Sequence, residues 1–131
     1  MYALMPDVDQ AFVDFLRSHP ALGPLHGGRV GTKLAAGSLP SARIASVGGT
    51  APWPWEGLPE YQVEWWGGDE AAAKRLARTG EAALWDFLGP IAGGQVTGIT
   101  VPISMLWSPD DVSARPRVIT QVQYRVQPEA S

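Results

Sequence analysis

Two stretches near the C-terminal end of this chain alternate apolar and polar residues for longer than chance allows. Ile99, Val101, Ile103, Met105 and Trp107 alternate with Gly98, Thr100, Pro102, Ser104 and Leu106, and Val118, Thr120, Val122, Tyr124 and Val126 alternate with Arg117, Ile119, Gln121, Gln123 and Arg125. Successive strand side chains point to opposite faces, so period two predicts two long strands with one buried face each. Between them Ser108-Pro109-Asp110-Asp111 is turn chemistry, which predicts an antiparallel hairpin with a long tip. An apolar sheet face this long must be covered, and helices are the obvious cover.

The chain supplies two helical segments. After Asp69, a predicted N-cap, residues Ala73, Leu76, Ala77, Gly80, Leu84, Phe87 and Leu88 trace one stripe at a period near 3.6, and Gly89-Pro90 closes it. Gly80 on the apolar side predicts close packing against the sheet. Glu81 falls outside the stripe, so its replacement by alanine is expected to be mild. Earlier, Val8, Ala11, Phe12, Phe15 and Leu16 recur at helical spacing behind Asp7, with Gln10 as its capping-box partner and His19-Pro20 as the stop.

Between the helices, residues 29–34 and 42–47 alternate weakly and are read as a β-hairpin. Residues 50–59 contain three prolines and are read as a rigid loop carrying Trp53 and Trp55. Tyr61, Val63 and Trp65 alternate with Gln62, Glu64 and Trp66, a strand that Gly67-Gly68 ends. The fold class expected is α+β in the order α-β-β-β-α-β-β: one mostly antiparallel, mixed sheet with helices packed on one face, in a single domain over residues 1–131. A chain of this length buries roughly two thirds of its unfolded surface in one core.

Composition removes several functions. Ten basic against 13 acidic residues, with no basic run, argue against tight sequence-specific binding of nucleic acid. The absence of cysteine removes disulfides, thiol catalysis and thiolate metal sites. Residues 1–10 lack the basic and apolar regions of a signal peptide. Residues 87–109 are uncharged, but their glycines, prolines, Gln95, Thr97 and Thr100 are wrong for a membrane helix, so a soluble chain is expected.

No catalytic, cofactor-binding or metal-binding set emerges. His19 and His26 flank a Pro/Gly loop without a carboxylate cluster and read as ordinary loop histidines. Asp110-Asp111 reads as a turn cap, and Asp69-Glu70 as an N-cap with a first-turn acid. The glycine pairs lack the context of a phosphate loop, and no serine sits in a nucleophile elbow. The expectation is a protein that is not an enzyme and carries no cofactor.

Six tryptophans are the unusual feature. Trp53 and Trp55, on a proline-stiffened segment, either fold back onto the domain's own core or meet a neighbouring subunit, where tryptophan is enriched at hot spots. Trp66 raises the same question from the face opposite Trp65. Pro102 inside a long strand marks an edge or bulge, and a long edge invites pairing between chains. The interface candidates are therefore Trp53, Trp55, Trp66 and Pro102.

The stretch Tyr61-Gln62-Val63-Glu64-Trp65-Trp66-Gly67-Gly68-Asp69-Glu70-Ala71-Ala72-Ala73, with the order of elements around it, resembles the tail terminator proteins of long-tailed bacteriophages, especially those of actinobacterial hosts. The V-x-x-W-G strand end, the alanine-rich helix, the final long hairpin and Ala45-Ser46-Val47-Gly48-Gly49-Thr50 match that style over most of the chain. The resemblance implies a homo-oligomeric ring, a hexamer, that caps the tail tube built from the major tail tube protein and then meets head-tail connector proteins. It implies a place at the head-proximal end of the virion tail, reached from the host cytoplasm, with DNA passing through the lumen without specific binding. Gln62, Glu64, Arg117, Gln121, Gln123 and Arg125 are the candidates to line that lumen. A head-tail connector, head-completion or minor tail protein is the alternative within the same biology. A small-ligand-binding or accessory domain with a pocket under the Pro/Trp segment is the alternative outside it.

Overall fold

The structure is a computed structural model that describes residues 4–33 and 39–129. Helix α1 (Val8–Ser18) is followed by a short helix α2 (Gly23–His26), strands β1 (Val30–Gly31), β2 (Ser41–Trp53) and β3 (Glu56–Trp66), helix α3 (Glu70–Leu84), and strands β4 (Gly89–Ile91), β5 (Gly94–Trp107) and β6 (Arg117–Pro128). The six strands form one mixed sheet in the order β1-β2-β3-β6-β5-β4. All pairings are antiparallel except β1 with β2. The α+β class and the covered sheet face are as the sequence predicts.

Helices α1 and α3 begin where their caps place them. The Asp7 side chain accepts from the Gln10 N–H and the Asp69 side chain from the Ala72 N–H, each satisfying a donor that the first turn leaves free. The reciprocal half of the capping box at α1 does not form, because the Gln10 amide donates to Asp14 instead. Helix α3 ends at Leu84 and tightens into a 3-10 turn over Trp85–Phe87, which turns Phe87 into the core and leaves Leu88 exposed.

The helices lie on one face and bury Tyr61, Val63, Trp65, Val118, Val122, Tyr124 and Val126 of the central strands. Phe12 of α1 packs against Tyr61, Tyr124 and Phe87, with ring centroids 4.9, 5.4 and 5.3 Å away. The two buried phenols find partners on the helices: the Tyr61 hydroxyl donates to Asp9 at 2.5 Å and the Tyr124 hydroxyl to the Leu84 carbonyl at 2.8 Å. Helices α1 and α3 are thus tied to the sheet by these hydrogen bonds, among others, as well as by apolar area. Gly80 makes the close approach that the sequence predicts, since a Cβ there would sit 2.2 Å from the Trp65 ring.

Three expectations are corrected. Segments 29–34 and 42–47 do not form a hairpin: β1 is two residues long and runs parallel to β2, with Val30 opposite Ala42. Alternation reports which face is buried, and Val30 and Ile44 both face the helices, but it carries no information about strand direction. Leu34 lies outside the described residues. The rigid loop at 50–59 is instead the tip of a long β2–β3 hairpin that turns at Pro54-Trp55, with Trp53 opposite Glu56. Its prolines are accommodated because the register slips between Ser46 and Gly49 and again between Thr50 and Trp53. Gly49 permits the first slip, having φ 149° and no room for a Cβ beside the Leu58 carbonyl. Finally, β4 adds a sixth strand where the sequence shows only a helix stop. It folds back onto the start of β5 through a tight turn at Ala92-Gly93, Gly93 having φ 84°.

Candidate functional site

Three surfaces are built by this topology: an exposed hairpin arm, an open sheet face, and a free strand edge.

The arm is the outer half of the β2–β3 hairpin. Residues 46–54 are exposed without interruption, while the facing strand stays in the sheet, with Gly57 opposite Val126 and Glu60 opposite Gln123. Trp53 is 48% exposed and its Nε1 makes only a long contact to Glu56, 3.4 Å. Trp55 is half-buried. Trp53 therefore does not fold back into the core. Beneath the arm a groove of about 370 Å³ is lined by Met5, Pro6, Val8, Gly49, Leu58 and Pro59 among others. Its one carboxylate, Asp9, is already bound by the Tyr61 hydroxyl.

The open face is the side of the sheet away from the helices. Gln62 lies opposite Gln121, Glu64 opposite Ile119, Trp66 opposite Arg117, and Glu60 opposite Gln123. Neighbouring strands add Arg43 opposite Glu64, and Arg125 reaches Glu56 at 3.4 Å. Arg43, Arg117 and Arg125 are matched by Glu56, Glu60 and Glu64, so the charges of these six residues cancel. The six residues predicted to line a lumen do share the face. They are not equally available. Glu64 is only 5% exposed, held by Arg43 at 2.9 Å and accepting from the Gln62 amide and the Trp66 indole. Trp66 is 4% exposed, with the Arg117 guanidinium 5.3 Å above its ring. Gln62, Arg117, Gln121 and Gln123 are half-buried and Arg125 is exposed.

The free edge belongs to β5. Strand β4 covers only residues 94–96, and among the described residues the rest of β5 pairs with β6 alone. Pro102 is exposed on this edge, inside a register slip between Thr100 and Ile103. That is the edge-and-bulge position its missing N–H demands.

Both histidines are held by hydrogen bonds. His26 is fully buried, accepting the Gly28 N–H at Nδ1 and placing Nε2 2.9 Å from the Leu16 carbonyl. The ring is therefore neutral with its proton on Nε2, and burial holds its pKa below the ordinary value. His19 Nε2 meets Asp86 at 2.8 Å. Among the described residues no group of three or more metal-ligating side chains converges, and no helix is long and apolar enough to cross a membrane.

No protein-family model matches the chain, and no curated protein matches it. Among solved structures, a chain from the virion of a native gene transfer agent particle superposes with a TM-score of 0.61, covering 87% of this chain and 90% of that one. The two share a fold. At 14% identity the likeness assigns no residue a role, so the surfaces above rest on their own geometry.

Sequence reasoning missed one cluster. Glu81 accepts from the Ser104 hydroxyl at 2.5 Å, the Met105 N–H at 2.7 Å and the Thr120 hydroxyl at 2.6 Å, and Thr120 in turn accepts from the Trp65 indole at 3.0 Å. The available signal was position: Glu81 is four residues after Ala77 and three before Leu84, on the margin of the buried stripe.

Proposed function

We propose that this chain is a structural subunit of a virion, and within it a tail terminator: copies close into a ring of six that caps the tail tube, stops its growth and offers a surface for head joining. The observation that carries this reading is the fold shared over nearly the full length of both chains with a component of a gene transfer agent virion. The sequence resemblance to tail terminators supplies the finer role. The arm, with Trp53 exposed on a hairpin stiffened by Pro52 and Pro54, suits a contact that has little entropy to lose on binding. The open face suits a channel wall. Its arginines and glutamates cancel and its centre carries glutamine, so DNA would slide past it, whereas a dense basic lining would bind phosphates through counterion release. Head-to-tail contacts between identical copies close into rings when the rotation permits.

The groove under the arm gives the small-ligand alternative little support, because such sites orient their ligands with convergent polar groups and the one carboxylate here is engaged. The assembly reading is tested by native mass spectrometry of the purified chain, alone and with tail tubes. A closed oligomer of about six copies is the expected result. A strict monomer in both samples, or only a two-fold dimer, would sink the ring.

A further inference from the structure

The free edge of β5 contains an arrangement that the assembly reading does not use. A row of unpaired backbone groups is a template on which another chain's strand can add, and natural sheets interrupt such rows. Here the row is interrupted twice. Pro102 has no N–H to offer. Beyond it a second register slip, between Ile103 and Leu106, places Met105 at φ 52°, a left-handed conformation that a residue with a Cβ avoids.

What holds Met105 there is Glu81 on α3. The carboxylate receives the Met105 N–H at 2.7 Å, the Ser104 hydroxyl at 2.5 Å and the Thr120 hydroxyl at 2.6 Å. Because Thr120 accepts from the Trp65 indole, its single proton is directed to Glu81. The helix that packs over the sheet face thereby takes the N–H that a regular strand would keep in the plane of the sheet. On the opposite edge, β2 is broken in a comparable way by Pro52 and the slip at Gly49.

We propose that Glu81 is an edge guard: by drawing the Met105 N–H toward α3 it works with Pro102 to stop a second copy of this chain from adding its strand to β5. This inference stands on the edge geometry and does not rest on the tail-terminator reading.

Three measurements on the full chain test it: amide hydrogen exchange at Met105, sedimentation velocity over a range of concentrations, and thermal melts. In the wild type the Met105 amide is expected to exchange at least about tenfold more slowly than the other amides of the free edge. Glu81→Gln, which keeps an acceptor, should preserve that protection. Glu81→Ala should lose it, keep a cooperative melt, and rise at least about twofold in weight-average mass with concentration. Pro102→Thr, which restores a donor at an exposed position, should also associate. The guard is overturned if Met105 is unprotected in the wild type, or if Glu81→Ala releases the amide and keeps the wild-type mass. If Glu81→Ala fails to fold, Pro102→Thr decides, and an unchanged mass for that variant overturns the proposal.

Discussion

Gly80 sets the distance between α3 and the sheet, because the Trp65 ring occupies the space where a side chain would begin. Gly80→Ala gains helix propensity at an otherwise favourable position, yet the 2.2 Å approach leaves the methyl nowhere to go. The clash should win, lowering stability by about 2–3 kcal/mol, seen as a lower urea midpoint at constant slope. His26 makes a different statement. Burial depresses its pKa below 6.5, so as pH falls through 6.5 the unfolded chain takes up a proton that the folded one refuses. Stability from this group is complete above that pH and declines below it. Urea midpoints should therefore fall between about pH 7 and pH 5, and His26→Gln, although less stable throughout, should show a flatter decline. Equal slopes for the two proteins would mean that His26 is not the group responsible. Glu81 belongs at this scale too. Periodicity placed it with the solvated residues and made its loss look mild, whereas three donors converge on it.

At the scale of elements, legibility followed how many independent signals coincided. Helix α3 could be read from cap, stripe and stop together, and Leu84 at the end of its stripe is fully buried as expected. Strands β5 and β6 could be read because their alternation is long and a turn separates them. The β2–β3 hairpin could not, because prolines normally exclude a strand and only the register slips, which are tertiary features, make room for them. The parallel pairing of β1 left no local trace, and β4 is three residues long. Of the candidate site residues, the shared face of Gln62, Glu64, Arg117, Gln121, Gln123 and Arg125 follows from period two. The burial of Glu64 and Trp66 does not, since it depends on partners from Arg43 and Arg117. The arm yields its own prediction. Replacing Trp53 and Trp55 together by alanine should leave a cooperative melt, because Trp53 is half exposed and contributes little to the core. It should weaken subunit association by about 2 kcal/mol or more per residue, read as loss of the oligomer in mass measurements. A variant that no longer melts cooperatively would place both rings in the core instead.

At the scale of the whole molecule, a sheet covered on one face by helices leaves the other face and one arm for partners, while the long edge of β5 is interrupted at Pro102 and Met105. In the proposed function these surfaces serve a ring that ends a tail tube. If copies of this chain end the tube, tube growth in their absence has nothing to stop it. The direct measurement is the distribution of tail lengths in electron micrographs of particles produced with and without this chain. Tails of one length joined to heads are expected when the chain is present, and overlong tails lacking heads when it is removed. Tails of unchanged length, joined to heads as before, would contradict the proposed function.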